Sequence, residues 1–215
     1  MLKLIGLLGG TFNPIHFGHL RLAQELAINL HFDKVRFIPS ANPPHKTSPQ
    51  VSAQHRALMV QLAIANNPLF DCDTQELTRV GASYTIDTLI SLREELGNAA
   101  SLCLIMGSDA FTHLNTWHRW HELLNYCHII LVQRPNNLTK QIALPEKLQA
   151  FLQENYTEDN RDLSQNKAGY IHMQKITAHE ISSTIIRHHL KLGQKPFYLV
   201  PANVIDYINE NNLYI

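Results

Sequence analysis

Residues 2–20 read LKLIGLLGGTFNPIHFGHL, and the fold turns on how that stretch is read. Leu2 to Leu8 form a short apolar run, broken only by Lys3, of the length a buried strand takes. Two adjacent glycines follow, then a proline, then His16 and His19 around Gly18. Beyond them Leu20, Ala23, Leu26, Ala27 and Leu30 recur at the spacing of one helix face. A buried strand that passes through a glycine-rich turn into a helix is the opening unit of a parallel α/β sheet.

Working outward, the pattern repeats. VRFIP (35–39), SLCLIMG (101–107), HIILVQ (128–133) and GYIHMQKI (169–176) read as further strands, and LFDCDTQEL (69–77) as another extended segment. Helical spacing fills the intervals: VSAQHRALMVQLAIANN (51–67), then SYTIDTLISLREEL (83–96) with Ser83 as N-cap and Gly97 as the stop. HRWHELLNY (118–126) reads as a short helix. Two more follow late in the chain, one from SSTIIR (182–187) to Gly193 and one from Pro201. Continuously apolar strands separated by helices imply a Rossmann-like, doubly wound parallel sheet with helices on both faces and a small C-terminal helical elaboration. The expected organisation is a single domain over 1–215, with a solvated polar insertion at about 136–169 and a helical part at about 182–215.

Composition narrows the function classes. Eighteen basic and eighteen acidic side chains cancel, so no global field favours a nucleic-acid backbone or an anionic membrane, and any phosphate binding must be local. Cys72, Cys103 and Cys127 are odd in number and lack metal-ligand spacing, which suits a reducing compartment and no thiolate metal site. No apolar run approaches a membrane span and the opening stretch is too short for a signal peptide, so the expectation is a cytoplasmic protein. The sequence does not fix an oligomeric state.

In open α/β sheets ligands bind beyond the carboxyl ends of the strands. GGTFNPIHFGHL (9–20) occupies that place. Gly9 and Gly10 allow close backbone approach, Gly18 opens a helix N-terminus, and His16 and His19 supply donors near neutral pH. This is neither a Walker loop nor GxGxxG. Near the other end, ISSTIIR (181–187) offers hydroxyls, a helix N-terminus and Arg187 around one point. Either feature alone fits an ordinary turn or helix cap. Together in one small α/β chain they point to a phosphate cradle.

These two segments resemble the HxGH and ISSTxxR motifs of the nucleotidyltransferase α/β-phosphodiesterase superfamily. PPHK (43–46), GASYTIDTL (81–89), LIMGSDAF (104–111), Trp117 with Trp120, and QRP (133–135) are similar, in that order, to the bacterial nicotinate mononucleotide adenylyltransferases. One departure is Asn13, where many such proteins carry Asp.

The resemblance implies adenylyl transfer from ATP to nicotinate mononucleotide, in NAD biosynthesis, with Mg²⁺ carried mainly on ATP phosphates and no protein metal site. It assigns His16, His19, Lys46 and Arg187 to catalysis. ATP would meet Gly9, Gly10, Thr11, Phe12, His16, Gly18 and His19 from one segment and Ser182, Ser183, Thr184 and Arg187 from the other. The acceptor would meet Lys46, Tyr84, Thr85, Gly107, Asp109, Trp117 and Arg134. Two readings stand beside it: another adenylyltransferase of the superfamily, such as the pantetheine phosphate type, and a non-catalytic adenine-nucleotide sensor.

Overall fold

The protein is described by a computed structural model covering residues 1–42, 49, 51–79, 81–133, 144–177 and 181–215. Lys46 and Arg134 lie outside the described residues, as do the prolines of PPHK and Pro135.

Seven strands form one sheet: β1 (Lys3–Gly10), β2 (Lys34–Pro39), β3 (Phe70–Cys72), β4 (Ala100–Gly107), β5 (His128–Gln133), β6 (Tyr156–Thr157) and β7 (Ile171–Lys175). Their order is β3-β2-β1-β4-β5-β7-β6, and each neighbouring pair is parallel. β1 pairs with both β2 and β4, so the chain winds outward one way from β1, then crosses back and winds the other way. That reversal opens a crevice at the carboxyl ends of β1 and β4.

Helices cover both faces. On one lie α1 (Phe17–Asn29), α2 (Ala53–Ile64), α8 (Ser183–Lys191) and α9 (Ala202–Glu210); on the other is α4 (Thr85–Leu96). The period-2 alternation of the strands decides which layer each side chain joins. Leu4 and Leu8 of β1 pack with Ala23, Leu26, Met59, Ile186 and Val204, whereas Ile5 and Leu7 pack with Ile86, Leu89 and Leu92.

The structure departs from the sequence reading in four places. The extended segment expected over 69–77 ends at Cys72, because Asp73 accepts the backbone and side-chain N–H groups of Gln75 and turns the chain into α3 (Gln75–Thr78). Ser83 does not cap α4: Tyr84 holds the cap position, and the Ser83 hydroxyl accepts the Asn42 N–H instead. The short helix after His118 is a 3₁₀ segment, Trp120–Asn125, entered through Arg119 at φ 50°.

The fourth difference concerns the polar stretch before Gly169. It holds the helix read around PEKLQAFLQEN as α6 (Glu146–Asn155), but also edge strand β6 and α7 (Asn160–Gln165). Leu148 and Leu163 are fully buried, and the Leu2 N–H donates to the Ser164 carbonyl at 2.9 Å. Few apolar residues are present, yet those few anchor the segment in the two core layers. Among the described residues no helix is long and apolar enough to cross a membrane.

Leu163→Ala should therefore destabilise the protein by about 2–5 kcal/mol, as a core truncation does. Urea unfolding checks this; a loss no larger than that of a surface substitution would return α7 to the solvated class.

Candidate active site

Two cavities open at the crevice. The larger, about 670 Å³, is lined by Gly9, Gly10 and Thr11 after β1, by Tyr84, Thr85 and Thr88 of the α4 entry, and by Trp117 and His118. The smaller, about 340 Å³, is lined by His16, Gly18 and His19, by Ile176 and Thr177 after β7, and by Ile181, Ser182 and Ser183 at the start of α8. Leu22, Gly107 and Asp109 line both, so the two spaces meet beyond β4.

His16 is the N-cap residue of α1, nearly buried, and its carbonyl accepts the N–H groups of His19 and Leu20. Helical spacing then stacks the His16 and His19 rings with centroids 3.8 Å apart and an interplanar angle of 27°. Gly18 permits this. A Cβ there would fall 2.9 Å from His16 Nδ1 and 3.4 Å from the Ile181 carbonyl oxygen. Phe12 meets the His19 ring edge-on at 5.1 Å from below.

The turn before the histidines is tied to the C-terminal part of the chain. Arg187 Nη1 donates to the Asn13 carbonyl at 2.7 Å, and Ser183 Oγ to the Pro14 carbonyl at 3.0 Å. The Tyr214 hydroxyl donates to Asn13 Oδ1 at 2.8 Å; burial raises that phenol, so it stays a donor. Ser182 caps α8 by accepting the Ile185 N–H, and so a helix N-terminus faces the histidine cavity. From the other side, fully buried Arg56 donates to the carbonyls of Thr11, Ser40 and Val51.

The larger cavity has an aromatic wall and a polar floor. Trp117 follows a 3₁₀ turn (Leu114–Thr116), while the Tyr84 and His118 rings lie 4.5 Å apart. Trp120 points elsewhere, packing edge-on against Phe151 of α6. Glu76 of α3 reaches the cavity wall, accepts the Thr88 hydroxyl at 2.8 Å, and is held above the usual carboxylate range chiefly by burial.

His16, Gly18, His19, Ser182 and Ser183 come together, as do Tyr84, Thr85, Gly107, Asp109 and Trp117. Gly9, Gly10 and Thr11 open onto the larger cavity rather than the histidine cavity. Phe12 is 2% exposed and lines neither, because its ring sits in the core beneath His19. Thr184 and Arg187 also line neither: the Thr184 hydroxyl accepts from Arg187, whose other nitrogen holds Asn13. Asn13 itself is bonded to Tyr214 and Arg187, a structural engagement. His118, which the sequence reading assigns no role in the site, lines the larger cavity.

Sequence reasoning missed Glu76, Thr88, Thr177, Arg56 and Tyr214. Arg56 sits inside a helical segment and Glu76 in a stretch read as extended, and in both a charged residue signals a solvated face, with no local spacing to distinguish a buried one.

Several reaction types are disfavoured by the cysteines. All three are free, and burial pushes the thiols of Cys72 and Cys127 up to about 12 and that of Cys103 further still, so none offers a thiolate nucleophile. A histidine- and hydroxyl-lined cavity meeting an aromatic one at the switch point of a parallel sheet fits a nucleotide-binding α/β protein of the nucleotidyltransferase class.

Comparison with known proteins specifies the class further. A cytidylyltransferase-like family model matches residues 7–189. A relative from Aeromonas salmonicida, named "probable nicotinate-nucleotide adenylyltransferase", is 45% identical over 98% of this chain and 96% of its own. One of the same name from Dechloromonas aromatica is 43% identical over 98% and 97%. Among solved structures, a Plasmodium falciparum nicotinic acid mononucleotide adenylyltransferase complexed with NaAD shares the fold, with a TM-score of 0.71, 19% identity, and coverage of 99% of this chain and 97% of that one. The chain belongs to the cytidylyltransferase-like family and, within it, to the nicotinate-nucleotide adenylyltransferases.

Gly18→Ala should lower turnover by about 100-fold or more, the scale of losing a principal charge-stabilising donor, because its Cβ must displace the His16 ring. Steady-state kinetics with a parallel thermal melt checks this; full activity would show the histidine stack to be dispensable.

Proposed function

We propose that the chain transfers the adenylyl group of ATP to nicotinate mononucleotide, releasing pyrophosphate, with the triphosphate in the histidine cavity and the pyridine nucleotide in the aromatic one. The observation that supports this is the meeting of the two cavities at Gly107 and Asp109, a geometry in which an acceptor phosphate in one could reach an α-phosphate in the other. The acceptor phosphate oxygen is already ionised. It attacks the α-phosphorus as the bond to the pyrophosphate oxygen breaks on the opposite side, so no strong base and no covalent enzyme intermediate are required. Catalysis then consists of alignment and neutralisation of spreading charge.

In this reading His19 stabilises charge at the α-phosphate, and His16, Ser182 and Ser183 hold the outer phosphates with the N-terminus of α8. Thr184 and Arg187 join them from the rim. Because Arg187 already spans to Asn13, its first duty is to hold the two phosphate-binding segments together. Lys46 completes the charge set and Arg134 meets the acceptor phosphate. Asp109 bonds a ribose hydroxyl beside Gly107. Trp117 stacks on the pyridine ring, and Tyr84 and Thr85, at the N-terminus of α4, receive its carboxylate.

Asp109 is the sole carboxylate lining the histidine cavity among the described residues. That donor set fits a Mg²⁺ ion held mainly by ATP oxygens and water, supplying neutralisation of the outer phosphates.

Pyrophosphate release from ATP should be fastest with nicotinate mononucleotide, slower with nicotinamide mononucleotide and absent with phosphopantetheine. Release with the last alone would move the chain to the pantetheine phosphate type, and silence with all three would favour a nucleotide sensor. His19→Ala should cut kcat by about 100- to 1,000-fold while sparing acceptor binding. Trp117→Ala should raise the KM of the pyridine nucleotide and leave that of ATP nearly unchanged; equal losses for both substrates would count against stacking.

A further inference from the structure

Glu76 is an unusual component of a cavity meant for an anion. It is 7% exposed and lies in the wall of the larger cavity, on the side of Tyr84 and Thr85. One carboxyl oxygen accepts from Thr88 at 2.8 Å and the Ser83 hydroxyl lies near enough to influence the carboxyl, whereas Oε2 makes no close hydrogen bond among the described residues. A buried carboxyl oxygen without a partner carries a desolvation cost that an ordinary structural role does not explain.

We propose that Glu76 is a specificity-determining residue of the acceptor cavity, whose charge state sets the preference between an anionic and a neutral substituent on the acceptor ring. The proposal rests on the reading of this cavity as the pyridine mononucleotide site. In a confined, poorly solvated space an ionised Glu76 repels a ring carboxylate even without contact, because Coulomb energy falls only as the inverse of distance. A ring amide carries no net charge and escapes this penalty. A neutral Glu76 removes the repulsion and offers an O–H at Oε2 that a ring carboxylate can accept.

The surroundings bear on which form is present. Burial is the largest influence and favours the neutral acid; the hydroxyls of Thr88 and Ser83 and the charge of Arg79 oppose it, and Asp73 reinforces it. From β2, Arg36 is engaged by Glu95 and Asp73. Tyr84, Asp109, His113 and His118 line the same cavity. The raised carboxyl keeps its proton to higher pH than a free one, so negative charge enters the cavity wall as pH climbs past that point. Acceptance of the ring carboxylate should fall there while acceptance of the amide does not.

The test is the ratio of kcat/KM for nicotinate mononucleotide to that for nicotinamide mononucleotide, followed from mildly acidic to mildly alkaline pH. Titration of ATP and of the acceptor phosphate is common to both substrates and cancels. The ratio should fall by about fivefold or more as pH rises. In Glu76→Gln, which keeps the shape and cannot ionise, it should stay flat. Thr88→Val removes a hydrogen bond that favours the ionised form and should move the fall to higher pH; it carries the test even where Gln at 76 impairs folding. A flat ratio in the wild type, or an unchanged fall in both variants, would overturn the proposal and turn attention to His113 and His118. Turnover of neither mononucleotide would overturn this proposal and the acceptor reading together.

Discussion

The carbonyl oxygens of Asn13 and Pro14 hold this molecule's function together. Arg187 and Ser183, from a helix more than 160 residues further along the chain, both end on that two-residue turn. Backbone carbonyls before a helix start are satisfied by water or by a partner, and here the partner is the hydroxyl-rich tip of α8. The stacked histidines follow within one helical turn of that clamp. Loss of the clamp would leave the stacked histidines and the tip of α8 without a fixed separation, and catalysis by alignment depends on such a separation.

Space in the crevice is made by withholding side chains. Gly18 leaves room for the His16 ring and for the Ile181 carbonyl, and nothing lies within 4 Å of where a Cβ would stand on Gly9 or Gly107. The rigid sheet supplies the precision. β1 and β4 run side by side from Lys3 and Ala100, then send their carboxyl ends into different loops, and the histidine and aromatic cavities share Leu22, Gly107 and Asp109 as lining. The segment α6–β6–α7 stiffens this arrangement from behind, with Phe151 supporting Trp120 and Leu163 filling the layer under β1.

The fold was legible in the sequence because its cause is local: apolar runs such as SLCLIMG alternate with 3.6-residue periodicity, and Gly and Pro mark the turns. The candidate site was legible in part because HFGH and ISSTIIR each concentrate donors at a helix start, and His16, His19, Ser182 and Ser183 do line one cavity. Residues acting at long range were hidden. Nothing near Tyr214 announces a bond to Asn13, and Arg56 resembles any charged residue in a helix until the fold surrounds it with the carbonyls of Thr11, Ser40 and Val51. The polar stretch before Gly169 was misread as solvated since its anchors, Leu148 and Leu163, are single residues whose burial depends on partners far along the chain.

The most direct measurement is a crystal structure with a non-hydrolysable ATP analogue and nicotinate mononucleotide bound together. The expected result places the triphosphate among His16, His19, Ser182 and Ser183, the pyridine ring on Trp117, and the acceptor phosphate in line with the α-phosphorus near Gly107. A triphosphate lying among Tyr84, Thr85 and Trp117, or touching only one of the two clamped segments, would contradict it.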